Sequence, residues 1–354
     1  MVLRIALIVV AAIFALAPLP RQMVERTYSR GVYPVVQPAL TGLSNRTAFA
    51  WFDALVLVTA TAVFVLWTAR LRQRQGGIAK TLAMLVVETA AIAAVLYLWF
   101  LGAWGLNYHR QPLREQLDFR EDRITQTALR ELASRTVDAL NALHADAHAA
   151  GWVELTSTPA VLGPAFVRAQ RDLALPWTAY AGRPKHTLFN FYFTRVSIDG
   201  MTGPFFLETM ANDTLLPFER AATIAHEWSH LAGYADESEA NFVGWLVCMR
   251  GNASTQYSGW LSLYGTVAAA LPRSDRDHIV RQLGEGPKAD LRAISERVRR
   301  YAVPAASRAG YAVYDRFLKA NRVEAGVRSY GEVLRLLLGT RFNEDGAPAL
   351  RDRR

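Results

Sequence analysis

Three long apolar stretches near the N-terminus limit what this chain can become. They run over about residues 3–20, 50–68 and 82–106. Each approaches the ~20 apolar residues that a helix needs to cross a hydrocarbon core. Backbone polar groups inside a bilayer must be satisfied within the segment, so such stretches are expected as helices. Trp67, Trp99 and Trp104 lie towards their ends, where interfacial aromatics belong. The first stretch also resembles a secretory leader, with a basic head at Arg4 and a cleavage-like Ala15-Leu16-Ala17. Pro18 directly after that tripeptide argues against cleavage, and the stretch is read as an uncleaved anchor.

Orientation follows from the basic residues in short loops. Arg70, Arg72, Arg74 and Lys80 cluster between the second and third stretches and are expected on the cytoplasmic side. Residues 107–354 then lie outside, on the periplasmic or extracellular face of a bacterial cytoplasmic membrane, although Arg21, Arg26, Arg30 and Arg46 in the first loop pull the other way. Glu88 falls within the third stretch. It is either a buried functional carboxylate or, on the reading preferred here, an interfacial residue preceding the span proper.

Apolar residues make up 51% of the chain and charged residues 20%, which excludes a disordered polymer. The formal net charge of +9 suits an anionic membrane surface. No basic stripe interleaved with aromatics marks a nucleic-acid partner. The lone Cys248 rules out an internal disulfide or a cysteine-built zinc site, and its apolar run points to packing.

Beyond residue 106 the spacing predicts a helix from about Asp122 to Ala150. A strand is predicted over Thr187–Ser197, a turn at Asp199-Gly200 and a returning strand over Met201–Met210. A hairpin there would offer its edge to an extended peptide. From Pro217 onward the pattern is helical. The expected fold is therefore mainly α: three N-terminal membrane helices (residues 1–106) and a mostly helical domain with a small β element (residues 107–354).

The chemistry concentrates in Glu219–Ala232. His226 and His230 are four apart on an amphipathic helix and project from one face. Two imidazoles at that spacing suit a zinc ion, and Glu227 is placed to take a proton from an activated water. His144 and His148 share the spacing but lack the following glutamate, so they read as structural or incidental.

A catalytic zinc usually has a third protein ligand. Gly233 ends the helix, and Asp236, Glu237 and Glu239 open the next one. Glu239 shares a face with Phe242, Val243 and Leu246 and should point inward, so it ranks first. Glu237 ranks second, because Asn241 and Gly244 on its face permit close approach to the first helix. Asp236, which with Glu239 could merely cap the helix, ranks third. Tyr257, Tyr314 and Tyr330 could donate to an oxyanion, and Asn212 could touch substrate. Packing roles are the commoner outcome for such tyrosines.

The run AHEWSHLAGYADESEANFVGWL resembles the metal-site region of a bacterial membrane family known as domain of unknown function 3810. VERTYSRGVY, GLNYHRQPL, YSGWLS and YDRFLKANRVEAGVRSYG resemble further blocks of it, over nearly the whole chain. The resemblance implies N-terminal spans and a zincin-like metalloprotease-type domain. ESEANF is also similar to the ImmA and IrrE metallopeptidase family, where the third ligand is a glutamate on the helix after the metal helix, and this implies Glu239. The expected function is zinc-dependent hydrolysis of peptide bonds in a peptide or protein substrate. A non-catalytic, zinc-stabilised membrane sensor or scaffold is the alternative. Hydrolysis of a non-peptide amide would use the same activated water.

Overall fold

A computed structural model describes residues 1–73, 77–321 and 332–351. Arg74, Tyr330 and part of the 314–331 block lie outside the described residues.

Among the described residues two helices, not three, are long and apolar enough to cross a membrane by themselves: α4 (Trp51–Gln73) and α5 (Ile78–Ala103). The first apolar stretch forms only the 15-residue α1 (Val2–Leu16), which is packed against α5. At 1.5 Å per residue it reaches about 22 Å, short of a ~30 Å hydrocarbon core. Beyond the prolines at 18 and 20 the chain turns through 115° into the helical run Arg21–Ser44. Only if that bent pair counts as one broken span does the number reach three. Glu88 is buried among helices. Its carboxylate joins three helices, accepting from Arg4 of α1 at 2.7 Å and from Arg70 of α4 at 2.5 Å.

The run Arg21–Ser44 comprises α2 (Arg21–Val24), a π-helical segment (Glu25–Val32) and α3 (Tyr33–Ser44). It packs into the C-terminal part of the chain and does not merely join two spans. The Tyr33 hydroxyl donates to the carbonyl of Leu231, and Thr41 donates to that of Leu207.

The sheet is small, in the order β1 (Pro184–Lys185), β3 (Glu208–Ala211), β2 (Gly200–Gly203). β1 runs parallel to β3, and β2 antiparallel to it with Gly200 opposite Ala211 and Gly203 opposite Glu208. The expected strand over Thr187–Ser197 is absent, and α8 (Asn190–Val196) forms there instead. Asp53, buried at the start of α4, draws the Thr187 hydroxyl (2.6 Å) and the Leu188 N–H (2.7 Å) away from any ladder. Phe193 and Val196, three apart, then bury on one helical face, while Leu188 and Phe191 stay exposed. Tertiary demand thus overrides the β preference of the aromatic residues. The hairpin turn is Pro204–Leu207, and Asp199-Gly200 instead leads into β2. At the sheet's far end Glu208 accepts from the N–H groups of Trp51 and Phe52 and from the buried Lys185 at 2.9 Å, fixing the first turn of α4 to β3.

Helices α6 (Gln126–Ala150), α7 (Thr158–Asp172), α9 (Pro217–Leu231), α10 (Glu237–Met249) and α11 (Ala253–Ala270) build the main core. α12 (Arg273–Gln282) and α13 (Glu285–Tyr301) lie against α6, α14 (Pro304–Ala320) against α8, and α15 (Val333–Gly339) against α10. Trp228 of α9 is fully buried against Phe166 of α7, and Phe242 of α10 is fully buried beside Phe342. Cys248 is buried in α10, where desolvation pushes its thiol up to about 12, consistent with packing rather than nucleophilic chemistry.

Candidate metal centre

α9 opens with Pro217 at its first position, and the Glu219 carboxylate accepts from the Leu216 N–H at 2.9 Å. Its end is set by Gly233, at φ 87°, a left-handed conformation that disfavours a side chain. A Cβ there would also lie 3.0 Å from the Arg110 guanidinium, which donates to the Gly233 carbonyl at 3.0 Å. The chain reverses through Tyr234, and Asp236 caps α10 by accepting from the Ser238 and Glu239 N–H groups.

This turn places Glu237, the first residue of α10, against the two histidines of α9. His226 Nε2 lies 3.2 Å from His230 Nε2 and 3.2 Å from Glu237 Oε2, while His230 Nε2 lies 3.7 Å from Glu237 Oε1. Gly244 makes the approach possible, since a Cβ there would sit 2.9 Å from the backbone N and Cα of His226. Glu239 is not part of the group. It does point inward, but its Oε1 accepts from the Leu113 N–H at 2.6 Å, and burial pushes its carboxyl up to about 7. Asp236 is occupied as the cap. Of the three carboxylates weighed from sequence, the geometry therefore brings Glu237 to the histidines, because the glycine-bearing face of α10 is the one that meets α9.

The surroundings fit a cation. His230 Nδ1 is 2.7 Å from the Tyr234 carbonyl oxygen, which places a proton on Nδ1 and leaves Nε2 facing Glu237. Glu237 Oε2 is buried with no hydrogen-bond partner among the described residues. An orphaned buried carboxylate oxygen facing two imidazole nitrogens is a donor set suited to zinc. Burial opposes charge on both Glu237 and His230, yet their mutual attraction wins: the glutamate is held well below its usual range and the histidine is raised to about 9.

Glu227 lies on the sheet side of α9 and is buried. The Thr202 hydroxyl of β2 is 2.8 Å from Glu227 Oε2 and equally close to the Glu227 carbonyl oxygen. A Cβ on Gly200 would meet Glu227 Oε1 at 2.7 Å, so β2 lies directly on this carboxylate. Desolvation raises the Glu227 pKa, against the opposing pull of His226 and His230.

Several residues here were not singled out from sequence. Thr202 holds Glu227. Trp104, immediately after α5, donates from its indole to the His230 carbonyl at 2.9 Å. Tyr234 orients His230. Tyr314 of α14, weighed only as an oxyanion donor, hydrogen-bonds Glu237 Oε1. Tyr257 donates to Asp290 elsewhere, and Asn212 ties the loop before α9 to the Ile198 carbonyl while accepting from the Thr214 N–H. No period-based signal could have found Thr202 or Trp104, because both contacts cross long sequence separations.

The Gly244 contact carries a test. Alanine is favoured over glycine inside a helix by roughly 1 kcal/mol. Gly244→Ala is nevertheless expected to lose about 1–3 kcal/mol through overpacking and to weaken metal uptake by displacing Glu237. Thermal melts and zinc titration measure the two effects. A stabilised variant with unchanged uptake would contradict the close packing.

A predominantly helical chain with two helices of membrane-spanning length among the described residues and a largely buried His-His-Glu cluster is thus defined. The family described as Protein of unknown function (DUF3810) matches residues 28–338, and the chain belongs to that family. No curated protein matches the chain. No solved structure matches it either.

Proposed function

We propose that this protein is a membrane-anchored, zincin-like zinc hydrolase of peptide bonds, with His226, His230 and Glu237 as zinc ligands and Glu227 as general base. The observation that carries the reading is the convergence of three ligand atoms from two helices beside a buried glutamate that faces a strand edge. A bound zinc ion would supply Lewis acidity to a water and to a substrate carbonyl. Glu227 would accept a proton from the attacking water and return it to the leaving nitrogen. Its raised pKa suits both halves of that cycle. Thr202 orients the carboxylate, and Tyr234 keeps His230 in its ligating tautomer. β2 lies at the edge of the three-stranded sheet, and an extended peptide could add to it beside Glu227.

Two-sided anchoring by α4 and α5 would hold this domain at a bacterial cytoplasmic membrane. Arg70, Arg72 and Lys80 would lie on the cytoplasmic side and the metal centre outside.

A second reading, a non-catalytic zinc clamp that stabilises a sensor or scaffold, is favoured by one contact. Tyr314 closes over Glu237, as a sealed structural site would require. Peptide cleavage by the zinc-loaded protein against a fluorogenic library separates the readings. Cleavage that is lost on zinc removal and regained on re-addition supports the hydrolase.

Metal uptake should depend on pH in a stated direction. In the metal-free protein His230 keeps its proton up to about 9, since Glu237 outweighs the burial that opposes it. A metal must displace that proton, so below pH 9 apparent affinity should fall by up to about tenfold per pH unit. In the metal-free fold the raised histidine stabilises fully below its ordinary 6.5, and that contribution fades as pH rises through about 9. The depressed Glu237 contributes above its ordinary 4.5, and its share is lost as the pH falls through its lowered value. Calorimetric titration in buffers of different ionisation enthalpy should show proton release on zinc binding at pH 7.

A further inference from the structure

We propose that His144, His148 and Asp290 form a second divalent-metal site, separate from the centre on α9 and α10, that clamps α13 to α6. His144 and His148, read from sequence as structural or incidental, lie one turn apart on α6 with ring centroids 4.3 Å apart. Asp290 reaches them from α13. Its Oδ2 is 2.9 Å from His148 Nε2 and 3.6 Å from His144 Nε2. Ligand atoms around a tetrahedral zinc ion, at bonds of ~2.0–2.1 Å, stand roughly 3.3 Å apart. The distances here bracket that value, as do those of the His226 cluster.

Three further features are those of a prepared site. Asp290 is 6% exposed, so its charge is withdrawn from water and needs a counter-charge. Its Oδ2 also accepts from the buried Tyr257 hydroxyl of α11 at 2.5 Å, an outer contact that fixes the carboxylate as second-layer donors fix metal ligands. Gly286, one turn before Asp290, lets α13 close on α6, since a Cβ there would come within 2.4 Å of the His144 ring. A simple imidazole–carboxylate pair would need one histidine. Here two ring nitrogens converge on one oxygen, and the histidines keep enough exposure for an ion to enter and for water to complete its shell. The cluster shares no residue with the first. Its function would be structural, because α13 also carries Arg297, whose guanidinium holds Asp199 at 2.9 Å and Glu219 at 2.8 Å, next to β2 and at the start of α9.

The test is zinc stoichiometry on the full-length, detergent-purified protein, stripped with chelator and reloaded with zinc alone. Two ions per chain are expected in the wild type, one in His148→Gln and one in His226→Gln, with none in the double variant. Should His148→Gln fold poorly, the isosteric Asp290→Asn and the cobalt absorption spectrum of the reloaded protein replace it. Cobalt should then give two distinguishable sites, one removed by each single variant. The proposal is overturned if the wild type holds one ion that His148→Gln or Asp290→Asn retains, if it holds two that these variants retain, or if it holds none. The first of those outcomes leaves the His226 centre standing, so the two readings fail separately.

Discussion

Glu237→Gln should cost the protein its zinc at the His226 centre, whereas Glu239→Gln should keep it. Glu237 supplies the carboxylate that faces both Nε2 atoms, and one of its oxygens has no other partner. Loss of outer-layer contacts alone typically weakens metal affinity 10–100-fold, so loss of a direct ligand should exceed about 100-fold. Glu239 instead serves the Leu113 N–H and lies in the field of Arg110. Its carboxyl is pushed up to about 7, so near pH 7 an amide there replaces a group that carries only part of its charge and does not face the histidines, and zinc affinity should change less than about threefold. Competition against a chelating dye gives both affinities. The reverse ranking would make Glu239 the ligand and dissolve the centre described here.

Glu227→Gln is expected to lower peptide hydrolysis by about 10²–10⁴-fold while zinc affinity stays within a few-fold. Glutamine keeps the volume of the side chain and its contact with Thr202, so the fold and the ligand set persist. What disappears is the capacity to take up and return a proton. Measuring kcat and zinc content on the same preparation separates catalysis from binding. Unchanged turnover in a zinc-loaded variant would sink the general-base assignment, and undetectable turnover in the wild type would favour the clamp reading. Thr202→Val should give a milder loss, because it removes the hydroxyl that orients this carboxylate and leaves the base itself in place.

The histidine-bearing helix α9 was legible because two signals coincide there. The apolar positions follow the helical period, and the histidines fall at the one spacing that puts both on the same face. Gly233 marked the end of α9 for a local reason, its left-handed backbone. The carboxylate that the structure brings to the histidines is Glu237 and not the first-ranked Glu239, and the cue for it was in the sequence. Glu239 does point inward, as Phe242, Val243 and Leu246 implied, but that interior already contains the Leu113 amide and Arg110. Gly244 on the face of Glu237 was the stronger sign, because a glycine in a helix interior usually marks where another backbone comes close. The strand at Thr187–Ser197 failed for the opposite reason. Its aromatic composition was right for a sheet, but Asp53, more than 130 positions upstream, claims the backbone at its start. The first span was counted by hydropathy, and Pro18, read only as evidence against cleavage, lies with Pro20 where the chain bends.

The hydrogen bond from Trp104 to the His230 carbonyl has a consequence for reach. Trp104 follows the last residue of α5, and its ring centroid stands 6.0 Å from that of His230. Trp99, one turn earlier, donates to the Phe205 carbonyl in the turn between β2 and β3. The end of a membrane-length helix is thus bolted to the helix that bears the histidines and to the hairpin that carries the strand edge, with no linker to swing on. On the proposed reading the centre works at a fixed height above the lipid. It would act as a short ruler, reaching scissile bonds presented close to the bilayer surface and favouring stalks, tails and juxtamembrane loops over the bodies of folded soluble proteins.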